Sequence, residues 1–170
     1  MEFRTLKADE IECRVAQVTE KGTSLLLYKD ARADMKMLDE AKAKWQRKHE
    51  LINGKLFCTV SIWDAELEQW IERQDVGVES QSEATKGEAS DSFKRACFNW
   101  GIGRELYTAP FIWVSADKMN IQKTEWQGKT KYKTYDKFKV TNIRYNESRE
   151  IDGLVIIHEK TKAIVYKMGV

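Results

Sequence analysis

Asn53-Gly54 is the strongest constraint on how this chain folds, because both residues tolerate the positive φ that a two-residue type I′ hairpin turn demands. A turn there folds residues 45–52 back on residues 55–64. The second run alternates, with Leu56, Cys58, Val60 and Ile62 on one side. After a turn near Glu66-Leu67-Glu68, Trp70, Glu72, Gln74 and Val76 make a third strand. Residues 45–78 therefore read as a three-stranded antiparallel meander.

A polar stretch, residues 79–88, leads into a helix of about 15 residues. Its apolar positions Ala89, Phe93, Ala96, Cys97 and Trp100 share one face, and Gly101 and Gly103 end it. Before the meander, Ala8, Ile11, Val15 and Val18 have helical spacing, so a helix is expected over 8–18. Gly22 breaks it, and Ser24 to Tyr28 reads as a buried strand. A second helix is expected over 30–44, with Ala31, Met35, Leu38 and Ala41 on one face. Near the end, residues 111–114, 137–145, 154–158 and 163–166 read as extended. The order is an α+β pattern rather than βαβ alternation: an antiparallel β-meander followed by a helix, packed on helices, with a small C-terminal β region. At 170 residues one domain is expected, with a core over 1–114 and residues 115–170 as its C-terminal β extension.

Hydrophobic residues make up 42% of the chain and charged residues 33%, which excludes a disordered or fibrous class. No apolar run exceeds four residues, far short of a membrane-spanning helix, and the first residues lack the apolar core of a signal peptide. A soluble, intracellular protein with no membrane partner is expected. The three cysteines, Cys13, Cys58 and Cys97, form no C-x-x-C pair, so reduced thiols are expected and a zinc site is not. Net charge is only +2, but it is unevenly spread. Residues 64–83 hold seven acids and one base, net −6; residues 118–144 hold eight bases and two acids, net +6. Such a chain can bind a polyanion, or its acidic and basic stretches can join neighbouring copies head to tail.

Catalytic signatures are missing. Gly128-Lys129-Thr130 resembles the tail of a P-loop, but Lys123 stands where the motif needs its first glycine. Gly101-Ile102-Gly103 has Leu106 where a dinucleotide fingerprint needs a third glycine, and it ends a helix instead of opening one. His49 and His158 each fall in an expected strand, far apart in sequence. No catalytic residue, metal ligand or cofactor is assigned, and a binding protein is expected rather than an enzyme.

Residues 91–101, Asp-Ser-Phe-Lys-Arg-Ala-Cys-Phe-Asn-Trp-Gly, place Lys94 and Arg95 on a helix whose packing face is Phe93, Cys97 and Trp100. Bases held on a rigid helix can line a phosphate track at little entropic cost. The same two bases also fit a merely solvated helix edge. The stretch from Tyr28 to Tyr107 resembles the Rad52/Rad22 group of single-strand annealing proteins, including the Sak-type annealing proteins of phages. The family's Tyr-x-x-x-Arg matches Tyr28 and Arg32, and a tryptophan near the first meander strand matches Trp45. Its Asn-Gly-Lys hairpin matches Asn53-Gly54-Lys55, and its Asp-Val-Gly matches Asp75-Val76-Gly77. Its Asp-x-x-Lys-Arg-Ala-x-x-x-aromatic-Gly helix matches Asp91, Lys94, Arg95, Ala96, Trp100 and Gly101. Phe98 stands where eukaryotic members carry a further arginine, a charge that Arg104 would supply, and Glu66 and Glu68 make the hairpin tip acidic where some relatives are basic.

The resemblance implies an ATP-independent protein that binds single-stranded DNA and anneals it in recombination or repair, working as a homo-oligomeric ring or helical arc. Arg32, Lys94 and Arg95 would hold the phosphate backbone, with Lys48, Lys55, Lys86 and Arg104 as further DNA-binding candidates. Bases would face outward, free to find a complement. Expected partners are single-stranded DNA, the annealing duplex, further copies of the chain and a single-strand binding protein. The expected setting is the cytoplasm, at the nucleoid, in a bacterial host, with a phage or prophage source. Two other readings stay open: a protector of single strands or DNA ends that does not anneal, and a metal-dependent nuclease.

Overall fold

A computed structural model describes residues 2–78 and 84–170; the side chains of residues 84–86 and 126 lie outside the described set. The polar stretch 79–83 is likewise outside it. The fold is α+β, with mainly antiparallel strands. Contacts divide the chain into two units, one of residues 1–5 and 30–104, the other of residues 6–29 and 105–170.

The first unit is the meander and its helices. Helix α1 runs Ala31–Glu40. The Asp30 side chain caps it, accepting from the backbone N–H groups of Arg32 and Ala33 at 2.8 and 2.9 Å. The helix stops four residues before the expected end at residue 44, where Lys42 takes a positive φ of 54°. Its buried face is Ala33, Asp34, Met37 and Leu38, not the stripe through Ala31, Met35 and Ala41.

Strands β3 (Trp45–Ile52), β4 (Lys55–Asp64) and β5 (Gln69–Val76) form the expected meander in the order β3-β4-β5. Asn53 and Gly54 have φ of 51° and 75°, the conformation a type I′ turn requires. Cys58, Val60 and Ile62 are buried on one face, as the alternation indicates, while Leu56 is half-buried. Helix α2 (Ala84–Asn99) packs on that face through Phe93, Ala96 and Cys97, all fully buried. Gly101 and Gly103, at φ of 96° and 78°, carry the chain out of the helix.

The second unit corrects the first expectation. Residues 11–19 are strand β1 (Ile11–Thr19), not a helix, and only Ala8–Glu10 make a short 3₁₀ turn. β1 pairs with β2 (Gly22–Lys29), and the register slips between Val15 and Gln17. Ile11, Cys13 and Val15 face the core beside Lys29, Leu27 and Leu25; past the bulge, Val18 does so beside Thr23. A strand with one bulge therefore places residues 11, 15 and 18 on one face, as a helix also would.

Strands β6 (Ile112–Ser115), β9 (Phe138–Tyr145), β10 (Ile151–His158) and β11 (Ile164–Met168) complete a six-stranded antiparallel sheet in the order β11-β10-β9-β1-β2-β6. The sheet curls so that its edge strands β6 and β11 approach, and Lys118 Nζ donates to the Val165 carbonyl at 3.3 Å. Ile112, Val114, Phe138, Val140, Leu154, Ile156 and Val165 fill the inside. The lysine-rich stretch, for which the sequence indicated no element, forms a separate hairpin of β7 (Gln122–Trp126) and β8 (Lys129–Lys133).

His158 is buried on β10, with Nε2 3.2 Å from Asp136 Oδ2. Its Nδ1 accepts from the Lys160 and Thr161 backbone N–H groups at 3.1 and 3.3 Å, which leaves Nε2 as the donor to Asp136.

Candidate nucleic-acid interface

In the first unit, two of the short motifs meet. Arg95 projects from α2, and its Nε donates to Asp75 Oδ1 at 3.2 Å. Asn99 Nδ2 donates to Asp75 Oδ2 at 3.2 Å and to the Gln74 carbonyl at 3.1 Å. One turn before Arg95, Asp91 Oδ2 accepts from the Val78 backbone N–H at 3.0 Å. Gly77 lies between these contacts, where a Cβ would collide with the Glu88 carbonyl oxygen. Glycine is needed for that close approach of strand end to helix. Glu88 Oε1 also accepts from the Leu56 N–H at 2.8 Å, and Gly77 N–H donates to the Leu56 carbonyl at 2.9 Å. The Asp-Val-Gly end of β5 is thus the seat of α2, and it fixes where Arg95 points.

Lys94 is Arg95's neighbour on α2, with its side chain 21% exposed and Nζ 3.9 Å from Asp91 Oδ1. Arg32 stands on the first turn of α1, which packs against α2. Its side chain is 91% exposed, and Nε lies 3.6 Å from Asp30 Oδ2. Lys86 is on α2, but its side chain is outside the described residues.

The other candidates are placed differently. Lys48 and Lys55 fall on the meander face opposite α2, because Trp45, Arg47 and His49 take the alternate positions that touch the helix. Lys48 is bound to Glu50 at 2.8 Å, and that hydrogen bond and charge hold its ammonium above the ordinary lysine range. Arg104 donates to the Phe98 and Asn99 carbonyls, each at 2.9 Å, and lies over the Phe98 ring. It caps the C-terminal end of α2, where a cation is favoured.

Two arginines that the sequence reading passed over flank the same helix. Arg47 and Arg73 are the cross-strand neighbours of Val60, one on each side. The Arg47 guanidinium lies 4.8 Å from the centre of the Phe93 ring, and that of Arg73 lies 5.2 Å from the centre of the Trp100 ring. Trp100 sits just past the helix as a half-buried ring and donates from Nε1 to the Val60 carbonyl at 2.9 Å. The signal was present. Once Asn53-Gly54 fixes the register, residue 47 must face residue 60, and the second turn sets residue 73 against it.

The side bearing α2 therefore carries Arg47, Arg73, Lys94 and Arg95 on packed elements, each beside an aromatic ring or a carboxylate. Fixed cations of this kind bind phosphates without reading bases. Among the described residues, no group of three or more His, Cys, Asp or Glu is arranged to hold a metal ion, and no helix is long and apolar enough to cross a membrane.

The resemblance drawn from the motifs is found in wider comparison. Residues 64–126, which include β5 and α2, match the family described as Rad52/22 family double-strand break repair protein. The chain is also similar to the single-stranded DNA-binding protein DdrA of Deinococcus radiodurans, with 35% identity over 96 residues. That match takes in 55% of this chain and 45% of the relative, so the chain spans less than half of the relative's length. No solved structure matches the chain.

Proposed function

We propose that this chain, similar to the Rad52/22 family, binds single-stranded DNA in repair or recombination and brings complementary strands together without ATP. The observation that carries the reading is the junction of Asp75-Val76-Gly77 with Lys94-Arg95, which builds a cationic helix face from the motifs shared with that family. The name of the relative DdrA, a single-stranded DNA-binding protein, points to the same ligand, and the family's description points to break repair. Arg32, Lys94 and Arg95 hold the phosphate backbone, with Arg47 and Arg73 beside them. Phosphate contacts leave base edges free, and neutralising both strands lowers their repulsion, so annealing needs no nucleotide hydrolysis. The protein works as a homo-oligomeric ring or arc, in company with a single-strand binding protein, in the cytoplasm of a bacterial host, with a phage or prophage as its source. It acts as a binding protein, not as a catalyst.

The test is an annealing assay on complementary fluorescent oligonucleotides without ATP, run with and without Mg²⁺. Faster duplex formation supports the proposal. Binding without acceleration reduces the function to strand protection, and Mg²⁺-dependent loss of strands points to a nuclease.

A further inference from the structure

In the second unit, strand β1 is fully paired on one side only. It pairs with β2 along nearly its whole length, but meets β9 at a single position, Glu12 opposite Lys139. Among the described residues, no strand pairs with that second side from Cys13 to Thr19. An unpaired strand side is a template for pairing with another chain, and folds commonly cover it with a further element. Here the β7–β8 hairpin takes that place. β8 lies beside β1, and the Tyr132 hydroxyl hydrogen-bonds to the Glu20 carboxylate just past the end of β1.

The cover itself is loosely built. β7 and β8 pair only with each other, and no residue of either strand whose side chain is described is buried. Its root is held more firmly. The Asn120 N–H, where the chain leaves for β7, donates to Asp136 Oδ2 at 2.6 Å, and Asp136 stands where the chain returns from β8. From β10, His158 Nε2 donates to the same oxygen at 3.2 Å. One carboxylate, its side chain 15% exposed, thus ties both ends of the hairpin to the large sheet. Between β1 and the returning segment lies a cleft of about 720 Å³, whose walls include Cys13, Arg14, Tyr135 and Asp136.

We propose that the β7–β8 hairpin is a hinged cover over the free side of β1, latched at its root by the Asn120–Asp136–His158 contacts. Little buried surface holds the hairpin down, so its opening is a local event that needs far less free energy than unfolding the sheet. The hinge lies in residues 119–121 and 134–137, the two segments that join the hairpin to the rest of the unit. Opening lifts residues 134–136 from the cleft and bares Cys13 in its wall. The Cys13 thiol then loses the burial that keeps it from ionising. The device is independent of DNA binding, since neither the latch nor these strands contain a residue assigned to that role.

The test combines hydrogen exchange, read by mass spectrometry and referred to intrinsic amide rates, with iodoacetamide labelling at pH 8. In wild type, the amides of β7 and β8 are expected to exchange about a hundredfold faster than those of β10. Asp136→Asn should speed the hairpin amides about tenfold, the weight of one hydrogen bond to a charged group. It should also make Cys13 react in the native protein while Cys58 stays protected. Tyr132→Phe removes the contact with Glu20 and leaves the latch, so it should speed the hairpin amides a few-fold. Equal exchange in the hairpin and β10 would show one cooperative unit and overturn the proposal. So would Cys13 and Cys58 reacting together, or an Asp136→Asn protein in which Cys13 stays as slow as in wild type. If Asp136→Asn does not fold, the wild-type comparison and Tyr132→Phe decide between the same outcomes.

Discussion

Arg95 on α2 is held by Asp75 on β5, with Nε 3.2 Å from Oδ1, across twenty residues of sequence. The carboxylate also takes Asn99 and the backbone N–H of Val76, so it is fixed from three sides. Arg95 is 47% exposed and Asp75 22%, which leaves part of the guanidinium open to solvent. An arginine in this position is oriented before a phosphate arrives, which lowers the cost of ordering it on binding.

If Asp75 works by aiming Arg95, the two side chains are coupled in binding. Asp75→Ala is expected to weaken oligo(dT) binding a few-fold in wild type and to do nothing further in an Arg95→Ala background. Because Asp75 also accepts from Asn99 and the Val76 N–H, the stability cost should be about 1–3 kcal/mol, more than the ion pair alone would contribute. A double-mutant cycle in affinity measures the coupling. An Asp75→Ala variant that binds more tightly would show that the carboxylate opposes DNA instead of serving it.

Gly77→Ala tests the seat of α2. The added methyl meets the Glu88 carbonyl, which belongs to helix backbone and cannot swing aside. Overpacking of this kind costs about 1–3 kcal/mol. Urea unfolding should show that loss; a change within about 0.5 kcal/mol would mean that the helix and strand are free to separate.

Two of the cysteines should be inert in the folded protein. Burial pushes the Cys13 thiol up to about 12, against the lowering effect of a hydrogen bond to the Val140 backbone, with Glu159 adding to the rise. Burial likewise pushes Cys58 up to about 11, with Arg47 opposing. A thiol that is not ionised is a poor nucleophile. At pH 8, iodoacetamide should leave both unmodified until denaturant is added. Prompt labelling of either one in the native protein would contradict its placement.

The Asp136–His158 pair gives the second unit a dependence on acid. Burial would raise the Asp136 pKa, but the Asn120 backbone N–H and His158 outweigh it and hold the carboxyl below its ordinary 3.8. A depressed carboxylate adds stability that is present above its unfolded pKa and lost as pH falls through the folded one. Stability should therefore decline as pH drops below about 4, and Asp136→Asn should flatten that decline while lowering stability near neutrality by about 1–3 kcal/mol. Thermal unfolding of both proteins from pH 3 to 7 decides it; parallel profiles would exclude the pair as the cause.

Much of this architecture could be read from residues alone, where a local rule was strong. Asn53-Gly54 gave the meander its register, and the 3.6-residue spacing of Phe93, Ala96 and Cys97 gave α2 its buried face. The rule failed at β1 because a bulge at Ala16 mimics helical spacing, and bulges leave no local mark. The β7–β8 hairpin was hidden because its strands bury little, so lysines dominate where alternation should show. Lys94 and Arg95 could be found from a motif, but their setting could not. That Lys48 faces away from α2 follows from the same register that places Arg47, but that Arg104 is taken up in capping the helix follows only from the helix end and a later side chain brought together in space.

The most direct test of the central claim is the salt dependence of oligo(dT) affinity in wild type and in R32A/K94A/R95A, with folding checked by circular dichroism. The account predicts a folded variant whose binding is weaker by a similar factor for every base sequence, with a salt slope smaller by about 2, or about 0.7 for each cation replaced. A folded variant with wild-type affinity and slope would contradict it.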